Sequence, residues 1–184
     1  MALPLYDSVL TIISGGQTGA DLGGLVAAKN LAIYTTGWAT RGFMTENGQQ
    51  PVLGSEYNLI EHSSPKYPPR TEENVISSDL TIIFSPNPNS SGTKKTIEYC
   101  DKHDKVYFLI SEITENTPQE VLAFLKGNEP DIINIAGNRE SVARGLTSQV
   151  KRVMIKALMY YKVDHLEILK YRKDPSLLVP PAGK

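Results

Sequence analysis

The feature that most constrains the fold is a repeated order of short apolar runs, glycine-rich or polar turns, and helical patterns. Four runs of mostly β-branched and other large apolar residues occupy residues 9–13, 80–84, 106–110 and 132–136, with the length and composition of buried strands. A helical pattern follows each run, which is the order of βαβ units. The chain is therefore predicted to form a single doubly wound α/β domain with a mainly parallel sheet.

The hydrophobic spacing also predicts where the helices lie and where the domain ends. The longest helical pattern runs from Val142 to about Val163. We assign a ligand-binding domain to residues 1–163, and expect residues 164–184 to form a solvated tail of extended or frayed backbone. The apolar stripe of the long helix consists of Leu146, Val150, Val153, Ala157 and Tyr161. Other helices are expected at residues 20–31, 70–77, 92–103 and 118–128, and weaker strands at residues 32–36 and 57–61.

Composition excludes several classes of function. The 184 residues include 19 Lys and Arg against 20 Asp and Glu, so no excess of positive charge favours nucleic acid or a membrane surface as a partner. A single cysteine, Cys100, excludes a disulfide framework within the chain and fits a reducing cytoplasm. The N-terminus lacks the pattern of a signal peptide, and no apolar run approaches the ~20 residues of a membrane span. We expect a cytoplasmic protein.

The loop after the first strand carries residue types that suit an anionic ligand. In an open parallel sheet, the loops after the strands meet at one edge, where helix N-termini present free N–H groups. Residues 15–19, G-G-Q-T-G, combine adjacent glycines with the hydroxyl of Thr18, although they form neither a Walker A loop nor a G-x-G-x-x-G loop. Asp21 in the first helical turn could accept a hydrogen bond from a ligand. The alternatives are a tight turn capped by Thr18 and an ordinary helix-end charge at Asp21.

Two further loops have similar chemistry. Residues 90–93, S-S-G-T, directly precede a helix and suit a phosphate, with Lys94 and Lys95 adding positive charge. Residues 137–141 place the guanidinium of Arg139 at the same edge, where it could bind phosphate or carboxylate. The alternatives are a plain helix cap with solvated lysines in the first loop and local pairing of Arg139 in the second.

A long irregular stretch, residues 37–48, holds the single tryptophan. Trp38 could stack on a planar heterocycle with Arg41 nearby, or it could fill the edge of the core. The following helix is expected to begin near Arg70 with Thr71 as its cap. The candidate ligand-binding residues are therefore Gly15, Gly16, Gln17, Thr18, Gly19, Asp21, Trp38, Arg41, Ser90, Ser91, Gly92, Thr93, Asn138, Arg139, Glu140 and Ser141.

We assign no catalytic residue and no metal ligand from the sequence. Cys100 lies on an apolar stripe of a predicted helix, which favours a buried thiol over a nucleophile. The three histidines lack metal-ligand spacing, and no Ser-His-Asp arrangement is visible. We expect Gly16→Val and Thr93→Val to weaken ligand binding and to leave the thermal midpoint nearly unchanged.

Several of these motifs together resemble the molybdenum carrier family, which is similar to the LOG-type, lysine-decarboxylase-like Rossmann proteins. The most specific pieces are S-G-G-Q-T-G-A-D at residues 14–21 and A-G-N-R-E-S at residues 136–141. Between them, in the same order, lie Gly37-Trp38, Arg41-Gly42, Glu46 and Gly48, the R-T-E-E-N-V run at residues 70–75, Ser78-Asp79, Gly92-Thr93 and Thr96. The chain departs from the family at Leu22, where a basic residue is usual, and at residues 38–42, where the family has W-C-P-K-G.

The resemblance implies a Rossmann-like homo-oligomer, a dimer or tetramer, that binds the molybdenum cofactor as cargo and protects it or passes it to a molybdoenzyme. The last helix could contribute to assembly through Met154, Leu158 and Met159. One alternative is a nucleoside-monophosphate phosphoribohydrolase. Its LOG-type loop places a glutamate three residues after the threonine, where this chain has Thr96, and Glu98 would point to another face of the helix. Another alternative is a sensor or sequestering protein for a nucleotide-derived signal.

Overall fold

Five parallel strands form the central sheet of the computed structural model, which describes residues 10–173. In chain order the elements are β1 (Thr11–Ser14), α1 (Ala20–Asn30), β2 (Tyr34–Thr36), β3 (Trp38–Ala39), a 3₁₀ turn (Arg41–Phe43), β4 (Met44–Thr45), β5 (Gly48–Gln49), α2 (Val52–Tyr57), β6 (Ile60–Glu61), α3 (Tyr67–Ile76), β7 (Leu80–Phe84), α4 (Ser91–Lys102), β8 (Val106–Ile110), α5 (Thr117–Asn128), β9 (Ile132–Gly137) and α6 (Leu146–Lys173). The strand order is β2-β1-β9-β7-β8. The Rossmann-like α/β fold predicted from the sequence is confirmed.

Helices cover both faces of this sheet. On one face, α1, α5 and α6 pack on side chains such as Ile82 and Phe108. On the other face, α3 and α4 contribute Val75 and Cys100, which pack against Tyr107 of β8. Because neighbouring residues of a strand point to opposite faces, Tyr107 and Phe108 belong to different layers. Cys100 is fully buried, as predicted, and burial raises the pKa of its thiol.

Small paired strands and a short helix fill the space between α1 and α3. β3 pairs in parallel with β6, and β4 forms a hairpin with β5. α2 follows the hairpin and supplies Leu53 to a small core with Leu25 and Leu59. This part of the chain carries the side chains that face the loop after β1.

The last helix differs from the sequence prediction at both ends. It begins at Leu146 rather than Val142, and it continues to Lys173. The expectation of extended or frayed backbone from Asp164 is therefore wrong for residues 164–173. Around His165, the helix remains packed against the domain, because this side chain is buried and its Nε2 lies 2.8 Å from Oδ1 of Asp131. The rest of the predicted tail lies outside the described residues, and the domain boundary at residue 163 stays a prediction.

Burial along α6 follows its apolar stripe. All five predicted stripe residues are buried. Met154 and Leu158 are buried in the core, so the expectation that they contribute to assembly is wrong, whereas Met159 is exposed. None of the helices within residues 10–173 combines the length and apolar character required to cross a bilayer.

Candidate functional site

The three loops singled out in the sequence meet at one edge of the sheet. They follow β1, β9 and β7, which are neighbours in the strand order. Asn138 joins them, because its Oδ1 accepts a hydrogen bond from the Asn87 N–H at 2.8 Å and its Nδ2 donates to Ser90 Oγ at 3.0 Å. The Asn138 carbonyl also accepts from the Ala20 N–H at 3.0 Å. The predicted convergence of the loops is confirmed.

A cleft of about 470 Å³ opens at this edge. The first turns of α1, α3 and α4 and the loop after β9 surround it. Its lining consists of Gln17, Asp21, Tyr67, Pro68, Arg70, Thr71, Ser90, Ser91, Gly92, Lys95, Thr96, Ala136, Gly137, Asn138, Arg139 and Val142.

The N-terminus of α4 faces this cleft. Ser90 caps the helix, since its Oγ accepts the Thr93 N–H at 3.3 Å. The first N–H groups of a helix lack partners within the helix and attract anions. A Cβ added to Gly92 would meet no atom within 4 Å beyond its chain neighbours and the backbone of its own helix, so the space above this turn is open.

Arg70 lies in the wall of the cleft and is only 8% exposed. Its Nη1 is 3.4 Å from Oδ2 of Asp21, which also accepts the Gln17 N–H at 3.2 Å. Gly15 makes room for the guanidinium, because a Cβ on Gly15 would lie 1.4 Å from Arg70 Nη1. Burial raises the pKa of Asp21, and the charge of Arg70 opposes this rise. Within residues 10–173, Arg70 Nε is buried without a hydrogen-bond partner.

The sequence interpretation missed the role of Arg70. It placed this residue at the start of a helix capped by Thr71, which is wrong because α3 begins at Tyr67. The Thr71 hydroxyl instead donates to the Tyr67 carbonyl at 3.0 Å. The available signal was the R-T-E-E-N-V run of the family resemblance, but spacing alone did not show that Arg70 would meet Asp21.

The cleft carries an excess of positive charge. Arg70, Lys95 and Arg139 line it, and among the described residues Asp21 is its one acidic side chain. Since Asp21 is paired with Arg70, no other carboxylate among the described lining residues meets the other two cations. Arg139 Nε lies 3.8 Å from Glu46 Oε2, which is outside the lining. Lys95 forms its ion pair outside, with Glu98 at 2.8 Å. An anionic ligand would fit this balance of charge.

Three other predicted residues, Thr18, Glu140 and Ser141, line a separate groove beside Glu46. The hydroxyls of Thr18 and Ser141 both donate to the Glu46 carboxylate, and the Ser141 N–H adds a third bond at 3.1 Å. Burial opposes ionisation of Glu46, but these hydrogen bonds outweigh it and hold its pKa below the ordinary value. Glu46 thus ties the β4–β5 hairpin to the loops after β1 and β9.

Glu140 holds the start of α6. Its carboxylate accepts the Thr147 N–H at 3.0 Å, the Thr147 hydroxyl at 2.8 Å and the Gly145 N–H. Burial opposes ionisation, but these bonds prevail, so the pKa of Glu140 lies below its ordinary value of 4.5. Both carboxylate oxygens are therefore engaged within the fold.

Replacing Glu140 with glutamine is expected to lower the free energy of unfolding at pH 7 by about 1 kcal/mol, the usual size of a helix-cap effect. The ionised form is the one stabilised in the folded state. Its contribution is therefore complete above the ordinary pKa and is lost as the pH falls through the lower, folded-state pKa. Denaturant unfolding of both proteins at pH 7, 5 and 3 should show a difference that shrinks with acid. The same change at exposed Glu112 should have little effect, and a difference independent of pH would contradict this account.

Several predicted binding residues support the fold beneath the cleft. Gly16 has φ of 71°, and a Cβ there would lie 2.6 Å from Leu59 Cδ1. Thr93 is buried, and its hydroxyl lies 2.7 Å from Ser85 Oγ and 3.3 Å from Asn138 Nδ2. Valine at position 16 or 93 would thus disturb packing or hydrogen bonds. The expectation that these variants keep their thermal midpoint does not fit the structure.

Trp38 and Arg41 lie away from the cleft lining. Trp38 is 8% exposed, packs edge-on against His62 at 5.9 Å, and exchanges backbone hydrogen bonds with the Asn74 side chain. Arg41 is exposed, and its N–H donates to the Ser64 carbonyl at 2.9 Å. Of the two interpretations of Trp38, its burial fits the one in which it fills the edge of the core.

Comparisons with known protein families and solved structures identify the relatives of this chain. Residues 12–158 match the sequence model of cpYpsA, the circularly permutated YpsA SLOG family. The chain belongs to this family. A solved structure from Syntrophus aciditrophicus SB, named "Putative molybdenum carrier protein", is 28% identical, with a TM-score of 0.74 over 82% of this chain and 96% of that chain. A comparison with curated proteins finds no match.

Membership of this SLOG family confirms the relationship predicted from the motifs at residues 14–21 and 136–141. In the structure, these two motifs are the loops after the adjacent strands β1 and β9. The two most specific motifs of the resemblance thus lie at one edge of the sheet.

Proposed function

We propose that this protein binds an anionic phosphorylated ligand in the cleft and carries or protects it, with the molybdenum cofactor as the cargo. The observation that carries the proposal is the presence in one cleft of the buried Arg70 guanidinium and the open N-terminus of α4. A buried arginine with an unpartnered Nε is costly unless something completes its hydrogen bonds. A phosphate beside a helix N-terminus could do so.

The chemistry of the cleft fits the cofactor as cargo. Its volume of about 470 Å³ is of the size of small-molecule sites. The hydroxyl of Ser91 and the charges of Lys95 and Arg139 suit a phosphate, and the Asp21–Gln17 wall suits polar groups of a heterocycle. The name of the Syntrophus structure points the same way. On this proposal the protein works in the cytoplasm and delivers the cofactor to a molybdoenzyme.

Ligand identity is tested by a thermal-shift titration of the purified protein with molybdenum cofactor, molybdate, AMP, ADP-ribose and NAD, followed by mass spectrometry of each mixture. We expect the cofactor to raise the melting temperature without product formation. A shift with an adenine nucleotide alone would support nucleotide sensing instead. Absence of any shift at saturating concentrations would contradict binding in this cleft.

Replacing Arg139 with alanine is expected to weaken cofactor binding by about 1.5–3 kcal/mol, the range of a charge-assisted hydrogen bond. Arg139 is half-exposed, and its Nε lies 3.8 Å from Glu46 Oε2, so little stability should be lost. Isothermal titration measures the affinity. Arg144→Ala is the matched control, because Arg144 lines the neighbouring groove with Glu46. Equal losses in both variants would contradict a contact between Arg139 and the ligand.

The alternative of a nucleoside-monophosphate phosphoribohydrolase depends on a carboxylate in the cleft. Thr96 lines the cleft where LOG-type enzymes carry their glutamate, and its hydroxyl donates to the Gly92 carbonyl at 3.0 Å. Glu98 is exposed and paired with Lys95 outside. Asp21 remains, with a raised pKa that would suit a general acid. Release of free base or ribose phosphate in the titration would favour this reaction.

We also propose that the protein self-associates through the second half of α6. Tyr160 and Val163 are each 59% exposed there, between exposed Lys156 and Glu167. At ~100° per residue these four positions fall on one narrow stripe. When two copies pair antiparallel, Tyr160 of each helix meets Val163 of the other, and Lys156 meets Glu167. A parallel pairing would oppose like charges, so the antiparallel dimer is favoured.

Replacing Val163 with aspartate is expected to convert dimers into monomers, because it places two like charges at the centre of the pairing. Sedimentation velocity at micromolar concentrations measures the change. Lys156→Glu and Glu167→Lys should each weaken the dimer, and the double variant should restore it. Val52→Asp on α2, also exposed, is the control. A wild-type chain that stays monomeric would contradict the pairing.

A further inference from the structure

We propose that Tyr67, with Pro68 and Val142, forms a wall that binds a planar aromatic ring, so that this site selects phosphorylated heterocycles over other phosphorylated compounds. The inference rests on the proposed function, since it uses the same cleft. It assigns to Tyr67 the ring contact that the sequence interpretation considered for Trp38.

The apolar part of the cleft comes from two separate elements. Tyr67 and Pro68 belong to the first turn of α3, and Val142 belongs to the loop after β9. Tyr67 is 38% exposed and Val142 is 40% exposed, although both side chains are apolar in character. Exposed apolar side chains that gather in a cleft beside charged groups are typical of a ligand site.

The wall is held in place by its surroundings. Prolines in the first turn of α3 fix the backbone dihedral φ there, so Tyr67 begins a preformed helix. The Arg70 guanidinium lies 5.7 Å from the centroid of the Tyr67 ring, within reach of a cation–π interaction. The same Arg70 pairs with Asp21 deep in the cleft. Tyr67 therefore stands at a defined position relative to the charged floor of the cleft.

The ligand class follows from the two halves of the cleft. The N-terminus of α4 and Lys95 suit a phosphate, whereas the wall of Tyr67, Pro68 and Val142 offers contact to an aromatic ring but few hydrogen bonds. A pterin or purine joined to a phosphate uses both halves. A sugar phosphate without an aromatic ring uses only the phosphate half.

The test compares ring-bearing probes, which contain an aromatic ring system, with a probe that lacks one, on Tyr67 variants. The ring-bearing probes are a pterin monophosphate and GMP, and the probe without an aromatic ring is ribose 5-phosphate. We expect Tyr67→Leu to weaken binding of the ring-bearing probes roughly tenfold, as loss of an aromatic stacking partner does. Binding of ribose 5-phosphate should change by less than about twofold, and Tyr67→Phe, the matched control, should keep near wild-type affinity for every probe, since it keeps the aromatic face.

The outcomes separate this inference from the proposed function. If the wild-type protein binds ribose 5-phosphate but Tyr67→Leu leaves the affinity for both ring-bearing probes unchanged, the phosphate site stands and the ring wall is refuted. If Tyr67→Leu weakens all three probes equally, Tyr67 only supports the cleft, and the inference is again refuted. If the wild-type protein binds none of the probes and no molybdenum cofactor, the proposed function fails and the inference fails with it.

Discussion

Replacing Arg70 with methionine is expected to lower the free energy of unfolding by about 3–5 kcal/mol at neutral pH and to abolish ligand binding. Removal of one partner of a buried ion pair leaves the other charge uncompensated, which is among the most destabilising changes known. Here the carboxylate of Asp21 would remain buried beside an empty space where the guanidinium lay. Denaturant unfolding measures the loss of stability, and isothermal titration measures the loss of binding.

The pH dependence of this variant identifies the cause. Burial already raises the pKa of Asp21, and removal of Arg70 takes away the charge that opposes this rise. A raised pKa in the folded state means that stability is complete below the unfolded-state pKa and is lost as the pH rises through the folded-state pKa. Arg70→Met should therefore lose stability from acid towards neutral pH relative to the wild type.

The double variant Asp21→Asn, Arg70→Met provides the decisive comparison. It removes the buried charge, so it should recover part of the stability at neutral pH and abolish the additional pH dependence. Lys29→Met is a control for loss of a cation, because Lys29 pairs with Glu56 on the surface and such pairs contribute about 0–1 kcal/mol. Equal losses in Arg70→Met and Lys29→Met would contradict a buried, functional pair.

Gly19 and Gly92 both lie near helix N-termini, but replacing each with alanine is expected to have very different effects on the free energy of unfolding. Gly19 has φ of 76°, and a Cβ there would lie 2.2 Å from the Asn138 carbonyl oxygen. Gly19→Ala combines a strained backbone with a clash against main chain, so we expect a loss of more than about 3 kcal/mol in unfolding free energy. Gly92 has open space instead, so Gly92→Ala should keep the stability within about 0.5 kcal/mol.

Gly92→Ala is expected to weaken ligand binding even though it leaves the stability nearly unchanged. A methyl group at Gly92 projects into the space above the first turn of α4, where the phosphate would lie, so Gly92→Ala should weaken binding of the molybdenum cofactor. Thermal unfolding and titration of the same preparations measure both effects. Gly127→Ala is a control, because Gly127 also has open space around it but does not line the cleft. Full affinity in Gly92→Ala would contradict a ligand at this helix terminus.

The site combines two kinds of polar network with different roles. Asn138, Glu46 and Glu140 fix the loops by hydrogen bonds whose acceptors and donors are both supplied by the chain. Arg70 lines the cleft and keeps a buried Nε without a hydrogen-bond partner among residues 10–173, and the space above the first turn of α4 is open. A rigid frame with a few unused donors is the arrangement expected for a protein that holds a charged ligand without changing its own shape.

The sequence by itself predicted the α/β fold and the edge of the sheet where the candidate site lies. Strands such as β7 and β9 are nearly continuous β-branched or apolar runs, and this local pattern depends only on neighbouring residues. The glycine and hydroxyl loops follow directly from these strands, so their approximate meeting place follows from parallel-sheet geometry. The family could also be recognised, because its motifs lie in contiguous segments.

Only the tertiary structure decided which of these residues line the cleft and which support it. Arg70 meets Asp21 across 49 positions of sequence, and Glu46 meets Ser141 across 95, and no local pattern encodes such pairings. The core likewise buries Trp38, whereas Tyr67, which the sequence interpretation did not consider, lines the cleft. Helix α6 extends past Val163 because His165 finds a partner in Asp131, a contact between elements distant in sequence. Spacing along the chain fixes which way a side chain points on its own element, whereas its partners depend on how the elements pack.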